Sequence, residues 1–296
     1  MPHVKEKKFA ALLSVISNSS LIILKLIAGF VSGSISIISE AVHSMSDLLA
    51  SFLALFSVSR SSEPPDEEHQ FGHGKFEDFS GLIEGILIIL ASFYIVYEAI
   101  KKILSSSHEI IDTNLAIIVM AFSVLTNILV SGYLFKVSKK TDSIALFADA
   151  EHLRTDIYSS LAVLGGLLTI KITDIHLLDP IFAIIVAILI LNAGFQISKK
   201  ASNNLLDGTL PTEENEIVNK ILKGYEENHN VKFKNIKTRK SGMFRQIEMT
   251  LMTNPDKTIK EGHKYCDEIE KEIEQELGNT SFLIHIEPFE ETNCIK

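Results

Sequence analysis

Six long apolar runs, separated by short polar stretches, occupy the first two thirds of the chain. They lie at about residues 10–32, 36–58, 79–104, 114–136, 143–169 and 177–198. Each run has at least 22 residues, and about 20 apolar residues are enough for a helix to cross roughly 30 Å of hydrocarbon. The pattern therefore predicts an all-α bundle of six membrane-spanning helices, which forms a transmembrane domain of residues 1–207.

The hydrophobic pattern changes after residue 207, where polar residues interrupt every apolar run. Apolar positions at helical spacing predict a helix over 213–227, with Thr212 as its N-cap, and a second, longer helix over 258–277. Extended patterns predict strands at 231–239, 247–252 and 282–286, with a turn at Ser241-Gly242. The order αββαβ predicts a soluble α+β domain over 208–296, ferredoxin-like or metallochaperone-like, with helices on one face of a mixed or antiparallel sheet.

Lysines between the runs indicate how the chain crosses the membrane. They precede the first run, occupy the loop after the fourth run, and follow the last run at Lys199 and Lys200. Because cytoplasmic loops carry an excess of lysine and arginine, both termini are expected in the cytoplasm. The first run is long enough to span the membrane and has no small-residue cleavage site, so we expect it to be a membrane span and not a signal peptide. The sequence therefore predicts a multi-pass protein of the cell (inner) membrane.

Composition narrows the set of partners. The net charge is −9, with much of the acid in the C-terminal domain, and no basic patch interleaved with aromatic residues occurs. We therefore expect no nucleic-acid partner. Cys266 and Cys294 are expected to be plain thiols, as suits a reducing compartment.

Two apolar runs contain matched pairs of an imidazole and a carboxylate four residues apart. These are His43 with Asp47 and His152 with Asp156. On a helix, residues i and i+4 share a face, with Cβ atoms about 5–6 Å apart. An ionisable group at membrane depth costs on the order of 2.5–3.5 kcal/mol and usually lines an ion path. Two such helices would supply four ligands to one ion.

The donor set suits a divalent metal. Two imidazoles and two carboxylates fit the tetrahedral geometry of zinc, and they leave a loaded site with roughly zero net charge. Ligands must lose their protons to bind metal, so metal and protons compete for the site. Nitrogen and oxygen donors also admit Fe²⁺, Cd²⁺ and Co²⁺, whereas an all-oxygen site would have favoured Mn²⁺.

Other interpretations of these residues remain. An intramembrane histidine or aspartate can hydrogen-bond to a neighbouring helix, and Asp149 is expected to support the site rather than bind the ion. A membrane metallohydrolase would need a general base beside the metal, and no His-Glu-x-x-His motif occurs. We therefore expect a transporter and not an enzyme, with a metal sensor or scaffold that transports weakly as a further alternative.

Four motifs together resemble the cation diffusion facilitator family. They are ISEAVHSMSD at 38–47, HQFGHGKFE at 69–77, ADAEHLRTDIYSS at 148–160 and HIEP at 285–288. The resemblance implies a homodimeric exporter of divalent metal, most simply a Zn²⁺/H⁺ antiporter, that alternates between inward-open and outward-open states. Fe²⁺, Cd²⁺ or Mn²⁺ are alternative substrates. Members with Asp at the position of His43 imply that this residue influences the choice of metal.

The resemblance also implies roles for residues between the second and third runs. Asp66, His69 and His73 match a second metal site of some members, although an acidic loop can equally be a solvated connection. Lys75 and Asp207 match a structural charge pair that joins this region to the end of the sixth helix.

A regulatory metal site in the C-terminal domain is the last implication. His263, His285 and Glu287 match a site of zinc ligands that bridges the two subunits in relatives. Lys234 and Glu248 replace histidines that relatives often have, so we expect weaker binding, with Glu248 as a substitute oxygen donor. Alternatively, the histidines are ordinary surface residues.

Overall fold

A computed structural model describes residues 2–32, 35–105, 114–173 and 178–289. The chain divides into two compact units, Met1–Ser202 and Asn203–Lys296, and each unit is described separately.

Six helices of 27 to 31 residues form the first unit. Their bounds are α1 Pro2–Ser32, α2 Ile35–Ser61, α3 Lys75–Ser105, α4 Asn114–Thr141, α5 Ile144–Thr173 and α6 Leu178–Leu205. The prediction of a six-helix bundle is confirmed. At 1.5 Å per residue the helices are about 40–47 Å long, so they exceed the hydrocarbon thickness. Helices α1 and α3 begin several residues before the apolar runs that predicted them.

Four helices of the described chain are long and apolar enough to cross a membrane by length and composition alone. These spans are Val4–Ala28, Lys75–Lys101, Ala121–Thr141 and Pro180–Leu205. The two remaining helices, α2 and α5, contain the paired histidines and aspartates. Charged residues in these two helices lower their hydropathy, and a bundle tolerates such residues when they face its interior.

Small residues bring the helices close together. The main core cluster of the bundle combines side chains of α1, α2, α4 and α5, including Ala10, Ala11 and Ala145, all fully buried. Lipid tails are as apolar as leucine, so close backbone approach and packing drive the association of helices in a membrane. Helices α3 and α6 approach likewise: a Cβ added at Gly194 would lie 3.0 Å from the carbonyl oxygen of Gly85.

A buried ion pair joins several helices at the ends that are expected to face the cytoplasm. Lys7 of α1 donates to Glu77 of α3, and each is only 1% exposed. Ser61 of α2 donates to Glu77 Oε1 at 2.7 Å, and Ser143, which precedes α5, donates to Oε2. One carboxylate thus connects four segments of the chain.

The second unit has the predicted αββαβ order. Its elements are α7 Thr212–His229, β1 Lys232–Ser241, β2 Phe244–Thr253, α8 Ile259–Leu277 and β3 Thr280–Pro288. The sheet order is β1-β2-β3, with β1 antiparallel and β3 parallel to β2. The sheet is therefore the mixed one of the two predicted arrangements.

Both helices pack against the same face of this sheet. Val218 of α7 and Ile269 and Ile273 of α8 meet Ile247 and Met249 of β2 in one buried cluster. Alternate residues of a strand point to opposite faces. The intervening β2 residues therefore lie on the outer face of the sheet.

The ends of the second unit's elements show one correction. Thr212 is the first residue of α7 and not its N-cap; Pro211 occupies the N-cap position without a side-chain hydrogen bond. Thr258 caps α8 as half of a capping box with Glu261. The Gly242-Met243 turn joins β1 to β2, and Gly242 adopts a positive φ of 57° there, which glycine allows without strain.

Cys266 is a free, buried cysteine of α8. It packs against Val231 and Leu251, and burial raises the pKa of its thiol to about 11. It behaves as a small apolar core residue. Cys294 lies outside the described residues.

Candidate metal centre

Asp47 of α2 and His152 of α5 meet inside the bundle. The His152 Nε2 atom lies 3.2 Å from Asp47 Oδ1, and both residues are only 7% exposed. The two residues are 105 positions apart in sequence. Close packing of α2 against α5 therefore joins one half of each predicted pair.

Asp156 completes a group of three donors. It follows His152 by one helical turn on α5, and one ligand atom each from Asp47, His152 and Asp156 lie within 4.8 Å of one another. His152 Nδ1 is buried and has no hydrogen-bond partner among the described residues. An imidazole and two carboxylates that converge in this way can coordinate a divalent cation.

His43 lies on α2, one helical turn before Asp47. Its backbone is helical, and its side chain is outside the described part of the structure. Its role as the fourth ligand stays a prediction. The i to i+4 spacing places it on the same face of α2 as Asp47.

A network of polar side chains supports the site from one side. Ser51 Oγ donates to Asp149 Oδ1 at 2.9 Å and accepts a hydrogen bond of 2.7 Å from Asn18 Nδ2. Asn18 also lies 3.4 Å from the backbone oxygen of Asp47, and Ser14 Oγ is 2.9 Å from Ser51 Oγ. The network ties α1, α2 and α5 together, so it restricts the backbone that presents Asp47. Asp149 thus contacts Ser51, in keeping with the expected supporting role.

Further acidic side chains give this part of the bundle an excess of carboxyl groups. Glu84 of α3 is fully buried, and Ser80 donates to its Oε1 at 3.1 Å. Glu84 and Asp149 both lie close enough to His152 to interact with it electrostatically. Carboxyl oxygens and an imidazole nitrogen are donors that suit a divalent cation.

Comparison with known proteins identifies the family. The cation efflux transmembrane domain matches residues 11–206, and the cytoplasmic domain of cation efflux proteins matches residues 210–289. The chain belongs to the cation efflux family. This is the cation diffusion facilitator family that the motifs resemble, so the predicted resemblance is confirmed.

Several curated relatives of the cation efflux family align over almost the whole chain. An uncharacterized transporter, sll1263 of Synechocystis, is 31% identical, covering 95% of this chain and 90% of its own. The manganese efflux system protein MneP of Bacillus subtilis is 30% identical, covering 94% and 95%. The cation-efflux pump FieF of Yersinia enterocolitica is 29% identical, covering 95% and 92%.

Family membership establishes the general activity. The protein is a multi-pass membrane transporter that exports divalent cations, and it belongs to no enzyme family. The predictions of a transporter and of divalent metal as its substrate are thereby confirmed. The site between α2 and α5 lies inside the region that matches the transmembrane domain of the family.

A second group of donors lies in the loop between α2 and α3. Asp66 Oδ2 is 3.3 Å from His73 Nε2, and Asp66 Oδ1 is 3.6 Å from His69 Nδ1. One ligand atom of each residue falls within 4.8 Å of the others. Backbone amides of His69 and Glu68, together with His73, lower the pKa of Asp66. The loop therefore presents an ionised carboxylate beside two imidazoles, and metal binding by these residues stays a prediction.

The donors predicted in the C-terminal domain are more dispersed. His285 Nε2 lies 3.4 Å from Glu287 Oε1 on the outer face of β3, and both side chains are exposed. His263 lies on α8, 3.6 Å from Asp267. Among the described residues of a single chain, these donors and Glu248 do not form a group of three within 4.8 Å. The predicted site bridges two subunits, so it stays a prediction.

Two features of the sheet bear on this predicted site. Thr250 of β2 pairs with Lys234 on one side and with His285 on the other, so the lysine lies two strands from the histidine in the same row. Glu248 pairs with Leu283, one step along the same face. A protonated lysine cannot serve as a ligand, so Lys234 adds no donor to this row.

Asp207 has a partner within the second unit. Its Oδ2 lies 3.2 Å from Nη1 of Arg239 on β1. Lys75 belongs to the first unit, at the start of α3. The predicted charge pair between Lys75 and Asp207 stays a prediction.

Lys25 is a buried residue of α1 that the sequence pattern did not single out, like Ser14 and Ser51 of the network beside the site. It is 6% exposed, and its Nζ donates to Ser44 Oγ of α2 at 2.7 Å. Its signal in the sequence is a lone lysine inside the first apolar run. Such a lysine often lies near a helix end, where its charge reaches the interface, so only the packing of α1 on α2 shows that it is buried.

Proposed function

We propose that the protein exports Zn²⁺ from the cytoplasm in exchange for protons, through a site formed by His43, Asp47, His152 and Asp156. The observation that carries this proposal is the convergence of Asp47, His152 and Asp156 within 4.8 Å, inside the helical bundle of a cation efflux protein. With His43, one turn before Asp47, the site has two nitrogen and two oxygen donors.

This donor set supports zinc as the substrate. Zinc is most often four-coordinate and accepts imidazole nitrogen and carboxylate oxygen at about 2.0–2.2 Å. Two ionised carboxylates balance the charge of the ion, which lowers the cost of enclosing it among apolar helices. Carrier function also requires that the ion can leave, and four monodentate ligands on two helices separate when the helices move.

Exchange with protons follows from the competition between proton and metal for the same atoms. Without metal, the 3.2 Å contact between His152 and Asp47 can be held by a proton on the imidazole. A metal ion requires the imidazole to be neutral, so its entry displaces that proton. Protons that enter from the outer side then favour release of the metal there.

The assembly and orientation complete the proposal. The C-terminal domain belongs to the cytoplasmic domain family of cation efflux proteins. This match supports a homodimer in the cell (inner) membrane, with both termini in the cytoplasm. In this arrangement the exposed His285 and Glu287 of two subunits are available for a regulatory Zn²⁺ ion. Asp66, His69 and His73 would bind a further ion near the cytoplasmic entrance.

Manganese is the second candidate substrate, because MneP of Bacillus subtilis, a relative that aligns over 94% of the chain, is named as a manganese efflux protein. Manganese prefers carboxylate oxygen to imidazole nitrogen as a donor. The site offers such oxygens from Asp47, Asp156 and the nearby Glu84. Fe²⁺ and Cd²⁺ are further candidate substrates, because the same nitrogen and oxygen donors can bind them.

Flux measurements in proteoliposomes test the proposal. Purified protein is reconstituted, and uptake of Zn²⁺, Mn²⁺, Fe²⁺ and Cd²⁺ is followed with and without an opposing pH gradient, for the wild type and for His152→Ala. We expect zinc flux that the gradient accelerates, with proton movement in the opposite direction, and neither in the variant. Zinc flux that is independent of the gradient and moves no protons would contradict antiport, and faster manganese than zinc flux would reverse the metal assignment.

A further inference from the structure

Lys25 is a buried cation that the proposed transport site does not use. It lies within the span Val4–Ala28 of α1, and its side chain is 6% exposed. Its Nζ lies 2.7 Å from Ser44 Oγ on α2. An ammonium group at membrane depth is costly, and it persists where anionic or polar groups compensate it. The surroundings of Lys25 therefore have to supply that compensation.

A polar stripe of α1 runs along α2 past the transport site. Ser14, Asn18 and Lys25 are spaced by four and seven residues, which places them on one face of α1. Ser14 and Asn18 contact Ser51, Asn18 also reaches the backbone of Asp47, and Lys25 contacts Ser44. Because the helices run in opposite directions here, Asn18 and Lys25 contact α2 on either side of Asp47.

The Lys25 side chain can reach the carboxylate of Asp47, the proposed metal ligand on α2. Ser44 precedes Asp47 by three residues, so their Cβ atoms lie about 5–6 Å apart on the same face of α2. A lysine side chain has a flexible four-carbon stem. Its ammonium group can therefore move from Ser44 towards the Asp47 carboxylate by side-chain rotation, without a change in the backbone.

The charge of the site depends on whether metal is bound. A divalent ion balances Asp47 and Asp156, and its departure leaves those two carboxylates near the buried carboxyl groups of Glu84 and Asp149. We propose that Lys25 is the internal counter-cation of the transport site, which competes with the metal for Asp47 and thereby lowers the affinity for metal. This inference rests on the proposed role of Asp47 as a transport ligand.

The position of Lys25 suits release. In the proposed topology the C-terminal end of α1 is the outer end, so Lys25 lies on the outer side of Asp47. A transported ion must be bound strongly enough to enter and weakly enough to leave. When the Lys25 ammonium replaces the metal at Asp47, it lowers the free energy of the metal-free site. Release of the metal therefore becomes faster, and the affinity for the metal becomes lower.

Charge-changing variants of the full-length protein test this inference. Lys25→Met removes the charge with similar length, and Lys25→Arg keeps it. Lys101→Met is the matched control, since Lys101 is an exposed lysine on α3. Zn²⁺ affinity in detergent is measured by competition with a chelating dye, and zinc flux is measured in proteoliposomes. We expect Lys25→Met to bind zinc roughly tenfold more tightly and to turn over more slowly, while the other two variants resemble the wild type.

A double-variant cycle assigns the effect to the transport site. In an Asp47→Asn background, Lys25→Met is expected to leave zinc affinity unchanged, because the carboxylate for which the two cations compete is absent. Unchanged or weaker zinc binding by Lys25→Met in the wild-type background would overturn the inference, and weaker binding would indicate a purely structural role. If the wild type shows no zinc flux but Lys25→Met still binds zinc more tightly, the result contradicts the proposal of zinc export and supports the inference about Lys25.

Discussion

The His152 Nε2 atom of α5 lies 3.2 Å from Oδ1 of Asp47 on α2. This contact places an imidazole and a carboxylate at the point where two membrane-spanning helices of a cation efflux protein meet. It joins the halves of two sequence motifs that are 105 residues apart.

Removal of His152 is expected to abolish transport. His152→Ala deletes the nitrogen donor that converges with Asp47 and Asp156, and loss of one of the four proposed ligands should reduce zinc flux in proteoliposomes at least about tenfold. His229→Ala is the matched control, because His229 lies on α7, outside both groups of donors. Normal flux in His152→Ala would remove this residue from the transport site.

The polar network around Ser51 should affect both stability and transport. Ser51→Ala leaves Asn18 and Asp149 without a shared partner, so we expect a loss of about 1–3 kcal/mol in the free energy of unfolding. Displacement of the Asp47 backbone should weaken zinc binding about tenfold or more. Thermal unfolding in detergent and zinc titration measure the two effects.

Ser20→Ala is the control for this prediction. Ser20 lies on the exposed side of the same helix as Asn18, and its hydroxyl contacts only the local carbonyl of Ile16 among the hydrogen bonds of the described chain. It should change stability and zinc affinity little. Equal behaviour of the two serine variants would show that the network has no influence on the site.

Substitution in the buried pair of Lys7 and Glu77 should destabilise the protein much more than substitution in an exposed pair. Glu77→Gln removes the buried carboxylate that pairs with the Lys7 ammonium, and breaking a buried ion pair costs about 3–5 kcal/mol. Glu6→Gln breaks the exposed pair with Lys140 and should cost under about 1 kcal/mol. Unfolding temperatures of both variants, measured in the same detergent, compare them.

A double variant separates charge burial from packing. Lys7→Met combined with Glu77→Gln removes both charges, so it should recover part of the stability that Glu77→Gln loses. A double variant as unstable as the single one would show that the hydroxyl groups of Ser61 and Ser143, which both donate to Glu77, account for the loss.

The capping box of α8 predicts a pH dependence of stability. Hydrogen bonds from the backbone and side chain of Thr258 lower the pKa of Glu261 below its ordinary value of 4.5. A carboxyl group with a lowered pKa in the folded state stabilises the fold above its unfolded pKa, and that contribution disappears as the pH falls through the folded value. Glu261→Gln should therefore lower the unfolding temperature at pH 7, and the difference from wild type should shrink below about pH 4.

Glu276→Gln serves as the control for the capping prediction. It removes an exposed carboxylate from the last turn of the same helix and no capping contact. A difference between Glu261→Gln and wild type that stays constant from pH 7 to pH 3 would contradict the electrostatic part of the explanation.

The loop site should bind metal independently of the transport site. His73→Ala removes the buried member of the group with Asp66 and His69. We expect the zinc stoichiometry, measured by calorimetric titration, to fall by one ion per chain, while the tighter component that depends on His152 remains. An unchanged stoichiometry would show that the acidic loop is a solvated connection.

Much of this protein was predictable from its sequence because the bilayer constrains local structure strongly. A lipid-exposed backbone must satisfy its hydrogen bonds within a helix, so six apolar runs sufficed to predict α1 to α6. Period and turn signals likewise predicted the αββαβ order. The spacing of His152 and Asp156 on one helix face was equally local information.

Tertiary structure decided what those local patterns could not. The contact between Asp47 and His152, the burial of Lys25 against Ser44, and the pairing of Lys7 with Glu77 all depend on which helix faces meet. Polar residues on a helix carry no local signal of their partner, since periodicity defines a face and not its neighbour. The sequence by itself determined the helices, the strands and the candidate ligands, whereas helix packing decided which charges share the interior of the bundle.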